Sequence, residues 1–392
     1  MTPQPIASAW DFPDGVTYLN HGSFGPAPRP VREAQIRWTA ELQRQPMEFF
    51  VRRLERLLDE SCTALGRLIG GDPRDLVLVD NATMGMNIVA ASIDLEPGDE
   101  VLLTDHEYGA VRRIWQRACR AAGAELVVCR LPWPLNDPGS GDRLVEKLAS
   151  SITEKTRLVV ASHVTSATAT ILPIQAICEA AARRRVPVCV DGPHAVAMLP
   201  VELDRLGCDF YVASCHKWLS APFGSGFLWV RRRHQPQLRT AITSWGGSVS
   251  GREPSWKDEF TWLGTRDPAA WLAVPEAVAF LEEYGLERFR EETHRLANYA
   301  RRRLVETIGL EPPLPESRDW YGPMVTIPLP PSPDTETGHG HTDPLQQTLQ
   351  QRYGIEIPIT GFHQHRYLRV SCHLYNTTDD IDRLVMAIEE SL

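Results

Sequence analysis

The chain has 392 residues, 43% of them hydrophobic and 23% charged, which suits a globular protein with a large core and two domains. A formal net charge of −9 argues against a main role on nucleic acid or on an anionic membrane surface. Eight cysteines without a CxxC pair point to a reducing compartment. The start MTPQPIASAWDFPDG lacks a basic-then-apolar signal and no apolar run reaches membrane-spanning length, so the expectation is a cytoplasmic protein.

Residues 1–15 read as an N-terminal arm, 16–250 as a large domain, and 251–392 as long helices with a small α+β domain. From about residue 75, short β-branched runs alternate with amphipathic stretches. The candidate strands are LVLV (76–79), VLLT (101–104), ELVVC (125–129), RLVVAS (157–162), VPVCVD (186–191), DFYVAS (209–214) and GFLWV (226–230). Helical spacing between them, as in VRRIWQRACRAAG and IQAICEAAARRR, predicts βαβ units and a mostly parallel seven-stranded sheet buried on both faces. Arg183–Arg185 and Arg231–Arg233 each follow an apolar stretch and read as a helix end and a hairpin tip. After residue 250 come AAWLAVPEAVAFLEEYG and LERFREETHRLANYARRRLVETIG, two helical patterns. The strands MVTIPLP and RYLRVS and the helix DDIDRLVMAIEESL follow, with loops at PPLPESRDWYGP and PPSPDTETGHGHTDP.

In an open parallel sheet, ligands bind beyond the carboxyl ends of the strands, so the residues that follow each strand are the candidates. DNATMGMN follows LVLV and opens a helix whose N–H groups, with the Thr83 hydroxyl, suit a phosphate. DHEYGA, HVTSAT, Asp191 and CHKWL follow four other strands. A phosphate cradle, a carboxylate, a lysine and an aromatic on one rim are what pyridoxal 5′-phosphate (PLP) requires. Arg369 in YLRVSCHLYNTT is the candidate for a substrate carboxylate. No GxGxxG follows the first strand, which sets aside a nicotinamide dehydrogenase.

From YLNHGSFGPAP to YNTTDDIDRL the chain resembles the class V aminotransferases of PLP fold type I (aspartate-aminotransferase-like), and within them the isopenicillin-N-epimerase-like branch. The specific segments are VDGPHAV, SCHKWL and LRVSCHLYNT. The resemblance implies Lys217 as the Schiff-base lysine, Asp191 as partner of the pyridine nitrogen, and Tyr108 as the ring stacked on the cofactor. It implies Ala82, Thr83, Ser214 and His216 at the phosphate, and His194 and Ser166 near the phenolic oxygen. Arg369, His21 and Gly22 are implied on the substrate side. Thr265, in GTRD, matches a threonine that reaches the phosphate of a neighbouring subunit, which implies a homodimer. Relatives that desulfurate cysteine carry asparagine at the position of Ser166 and a persulfide cysteine in the loop before the arginine. Here that loop is ITGFHQHRY, and Cys372 lies in a strand beyond Arg369.

A Tyr108 that opens a helix also suits core packing, and Trp245 and Trp262 read as pocket walls or core aromatics. No metal site is expected: His339 and His341 read as exposed, and His363 and His365 are candidates for lining the substrate pocket. The implied activity is chemistry at the α-carbon of an amino acid or an amino-acid-ended peptide. Epimerisation, β-elimination and transamination are all open, and a catalytically silent binding protein would have lost Lys217, Asp191 or Arg369.

Overall fold

The structure, a computed structural model, describes residues 6–137, 139–332 and 342–392. Twelve strands run in chain order: β1 (Thr17–Tyr18), β2 (Leu76–Val79), β3 (Glu100–Thr104), β4 (Glu125–Cys129), β5 (Thr156–Ser162), β6 (Val188–Asp191), β7 (Phe210–Ser214), β8 (Gly226–Val230), β9 (Met324–Leu329), β10 (Ile355–Glu356), β11 (Ile359–Phe362) and β12 (His365–Ser371). The seven strands expected between residues 76 and 230 form one sheet in the order β2-β8-β7-β6-β5-β3-β4.

Strands β4, β3, β5, β6 and β7 are parallel, whereas β8 is antiparallel to both β7 and β2. Two reversals turn β2 back into the direction of the parallel set, so its carboxyl end reaches the same rim. Strands β2, β6, β7 and β8 are buried throughout, as their unbroken apolar sequences require when helices cover both faces. Edge strand β4 is the exception, with Val128 exposed.

A second sheet, antiparallel in the order β11-β12-β9, sets Arg369 opposite Thr326 and Tyr367 opposite Thr360. The segment expected as the loop ITGFHQHRY is instead a hairpin: Phe362 pairs with His365 across a two-residue turn. Both turn residues, His363 (φ 47) and Gln364 (φ 66), are left-handed, the twist that joins adjacent strands in so short a connection. No Asn-Gly or Asp-Gly signal marks it, so the pairing of β11 with β12 imposes the turn.

The helices of the second half span Val274–Tyr284, Leu286–Ile308 and Thr378–Glu389, the last started by a Thr377/Asp380 capping box. Arg183 ends a helix as expected. Arg231–Arg233 enter a 3-10 turn rather than a hairpin tip, where Asp209 receives Arg233 and His234, and Arg232 meets Asp72 and Asp75. The chain start crosses to the second half: β1 pairs with β10, and Trp10 is buried against Phe280, His373 and Tyr375. No described helix is long and apolar enough to cross a membrane.

Candidate active site

The carboxyl rim of the large sheet collects its polar residues in strand order. Asp191 ends β6, Lys217 follows its neighbour β7, and on the other flank Ser166 follows β5 and Tyr108 follows β3. The helix Ala82–Ser92 opens at this rim after β2. Asn81 caps it through Oδ1, which accepts the Met84 N–H at 3.0 Å, and the Ala82 N–H donates to Ser214 Oγ at 2.9 Å. Thr83 is exposed there.

Lys217 Nζ lies 2.8 Å from His194 Nε2. Burial lowers the Lys217 pKa, the charge on Arg369 adds to the fall, and Asp191 opposes it. Burial also raises Asp191, against the pull of Lys217. His194 is held well below the usual imidazole range, first by burial and then by the charges of Lys217 and Arg369. His216 falls to about 4 for the same first reason, and among the described residues its Nδ1 has no hydrogen-bond partner.

The opposite wall is the face of the small sheet. Arg369 Nη1 donates to the Ser166 carbonyl at 2.7 Å and to Ser166 Oγ at 3.3 Å, and Nη2 donates to Ser23 Oγ. Thr360 Oγ1 donates to the Ala167 carbonyl at 2.8 Å and Thr326 Oγ1 to the Thr168 carbonyl at 3.0 Å. Three side chains on one sheet face therefore hold three successive carbonyls of the loop after β5. Arg369 is 3% exposed, and among the described residues its Nε has no hydrogen-bond partner and no carboxylate pairs with it. Burial lowers its pKa to about 10. A buried guanidinium is costly unless its donors are paired, and here both terminal nitrogens are held by neutral oxygens.

The structure brings Lys217, Asp191, His194, Ser166 and Arg369 together, with Ala82, Thr83, Ser214 and His216 along the same rim. Tyr108 precedes the helix Gly109–Ala122 and is half-exposed, close enough to Arg369 to act on its charge. His21 has a different place from the substrate contact expected of it. Its Nδ1 meets Tyr375 Oη at 3.0 Å and its Nε2 meets the Lys217 carbonyl at 2.9 Å, which leaves neither nitrogen for a substrate. Its contact with Lys217 is to the backbone carbonyl, behind the side chain. Gly22 sits where a Cβ would lie 2.8 Å from Met324 Sδ and 2.9 Å from Ser371 Oγ, so a bare backbone is needed for the chain start to reach the pocket wall.

Thr265 is exposed, and its neighbour Arg266 pairs with Asp80, just before the helix at the rim. His363 Nε2 meets Asp105 Oδ2 at 2.8 Å, pinning the β11–β12 turn to the end of β3, while His365 is exposed. Trp262 packs edge-on against Phe50, and Trp245 is exposed. His339 and His341 lie outside the described residues.

Sequence reasoning passed over Glu107, Ser23, Trp218, Thr326 and Thr360. Glu107 is buried at the end of β3, accepts from Thr104 Oγ1 and from Ser162 N–H and Oγ, and burial lifts its pKa to about 7. Its place in DHEYGA, directly after a strand, was a usable signal. The two threonines carry none, because their role depends on sheet pairing.

The residues fit PLP. Lys217 is half-buried, its desolvation favours the neutral amine that an aldehyde needs, and Asp191 is a carboxylate ready for a protonated ring nitrogen. The helix N-terminus with Ser214 and the unpartnered His216 Nδ1 suits a phosphate.

The family model for aminotransferase class V matches residues 36–384. Isopenicillin N epimerase of Streptomyces clavuligerus is 37% identical over 385 residues, 95% of this chain and 94% of that protein. L-cysteine desulfhydrase of Arabidopsis thaliana is 28% identical, over 96% of this chain and 88% of its own. Among solved structures, a C-DES mutant with glycine covalently linked to its PLP cofactor matches with a TM-score of 0.82 at 23% identity, covering 97% of each chain. Another structure of C-DES, described as a cystine C–S lyase in complex with cysteine persulfide, matches with a TM-score of 0.81.

Proposed function

This chain belongs to the class V aminotransferase family and is a PLP-dependent enzyme, and from that premise we propose that it epimerises the α-carbon of an amino acid or of a peptide with a free amino-acid end. The observation that carries the reading is Arg369, a buried guanidinium with an unpartnered Nε beside the buried amine of Lys217. Arg369 anchors the substrate carboxylate through a fixed fork of donors. That anchor places the α-hydrogen within reach of Lys217, which takes the proton; inversion then requires a proton delivered to the opposite face of the α-carbon by a donor other than Lys217. Asp191 keeps a proton on the ring nitrogen. Bound PLP supplies the sink for the electron pair left at the α-carbon. The likeness to isopenicillin N epimerase over nearly the whole chain supports inversion as the outcome.

A second reading is β-elimination, which needs one base and is supported by the likeness to L-cysteine desulfhydrase. Desulfuration through a protein persulfide has less support. The β11–β12 connection is two residues long, and all eight cysteines are buried, Cys372 fully. The reading includes a homodimer in which the exposed Thr265 serves the phosphate of a second copy.

The deciding experiment follows α-proton exchange in heavy water over a panel of amino acids and peptides, with parallel assays for pyruvate, ammonia and keto acids. Exchange with loss of stereochemical purity and no carbonyl product is expected. A cleaved side chain or a keto acid overturns epimerisation in favour of elimination or transamination.

A further inference from the structure

We propose that Trp218 is a positioning residue that sets the tautomer of His194 and so holds Lys217 as the neutral amine. This rests on the reading of Lys217 as the cofactor-linking lysine. Trp218, fully buried one residue beyond Lys217, points its indole Nε1 at His194 Nδ1 across 3.4 Å. An indole N–H only donates, so His194 Nδ1 must be the bare, accepting nitrogen. Buried among Lys217, Arg369 and His216, the imidazole is neutral, and its one proton therefore sits on Nε2. Lys217 Nζ lies 2.8 Å from that same Nε2. Facing an N–H, the amine can only accept, and an ammonium has no lone pair to accept with. The other tautomer would set the Trp218 and His194 N–H groups against each other in a dry interior and let an ammonium donate to Nε2.

The remaining groups around Lys217 bear on its proton in both directions. Arg369, from β12, disfavours the charged amine, and Asp191, from β6, favours it; His216, the chain neighbour, is held neutral by burial and by the charge of Lys217. His21 touches only the Lys217 carbonyl. These charges persist whichever tautomer His194 adopts, so the indole supplies the choice that they leave open.

The full-length chain stripped of cofactor is the material for the test. Its Lys217 is acetylated with acetic anhydride across a pH series and the extent read by mass spectrometry, in the wild type and in Trp218→Phe. Without the indole donor, Nδ1 can carry the proton and Nε2 can accept from an ammonium. The Lys217 midpoint is then expected to move up by about half a unit to one unit, a three- to tenfold loss of reactive amine at neutral pH. An unchanged or lowered midpoint in a folded variant overturns the proposal, since a merely space-filling Trp218 would leave the titration where it was.

Should Trp218→Phe fail to fold, nitrogen-15 shifts of the His194 ring in the wild-type chain, assigned with His194→Gln, decide. A pyridine-like Nδ1 and a pyrrole-like Nε2 are expected, and the reverse tautomer or an imidazolium overturns the proposal. Neither readout uses turnover, so a failed epimerase assay leaves both results standing on their own.

Discussion

The two walls of the pocket are built differently. The wall on the large sheet carries Asp191, Lys217 and the helix at Ala82, each placed by the strand that it directly follows. The wall on the small sheet carries Arg369, Thr326 and Thr360, and it works by gripping Ser166–Thr168 from a sheet assembled some 150–200 residues later in the chain. The first wall tunes protons through burial, and the second fixes distances through hydrogen bonds. Changes in the first should therefore show in protonation and chemistry, and changes in the second in substrate binding.

The largest contrast is expected from Lys217→Ala. Loss of a positioned base should lower turnover by about 10²–10⁴-fold, while binding of a carboxylate substrate, measured by calorimetry, stays close to wild type. Equal losses in both would remove the distinction between the walls. Next comes Arg369→Lys, which keeps the charge but loses the fork. We expect KM to rise by roughly tenfold to a hundredfold, about 1.4–2.8 kcal/mol, with the PLP absorbance spectrum retained. A spectrum altered with KM unchanged would place Arg369 on the cofactor instead.

Smaller again is the double change Thr326→Val with Thr360→Val. Two hydrogen bonds at about 1 kcal/mol each should raise KM by severalfold up to about thirtyfold with kcat little affected. A fall in kcat alone would mean that the loop serves the chemistry directly.

The least effect on turnover is expected of Glu107→Gln, whose signature lies in stability. Burial, with a smaller contribution from the charge on Asp191, raises the Glu107 pKa from 4.5 to about 7. A folded-state pKa above the unfolded value means that the stabilisation is complete below about pH 4.5 and is lost as pH climbs through about 7. The wild type should therefore lose up to about 3 kcal/mol from this group between pH 5 and pH 8. In Glu107→Gln that loss should be absent, so its urea midpoints at the two pH values should lie closer together than those of the wild type. An identical pH dependence in both proteins would mean that Glu107 is ionised throughout.

Legibility in the sequence followed the same division. All seven large-sheet strands stood out as largely apolar runs, in the inner strands because burial on both faces leaves little room for polar residues, while edge strand β4 is apolar though only partly buried. Asp191 and Lys217 followed from the ends of those runs. The hairpin at His363–Gln364 read as a loop, since its strands are made by pairing and neither of them is apolar throughout. His21 read as a substrate ligand, and only the contacts of its two nitrogens show it meeting the Lys217 backbone from behind.

By itself the sequence determined the mostly parallel sheet and the rim that its polar residues share, because these depend on local periodicity and on the residues that end each strand; the resemblance to the class V aminotransferases singled out Lys217 and Asp191 on that rim. The tertiary structure alone decided which carbonyls Arg369, Thr360 and Thr326 hold, that Trp218 Nε1 meets His194 Nδ1, and that no described carboxylate pairs with Arg369. Those features depend on directions of hydrogen bonds between segments far apart in the chain, and no spacing along the sequence encodes a direction.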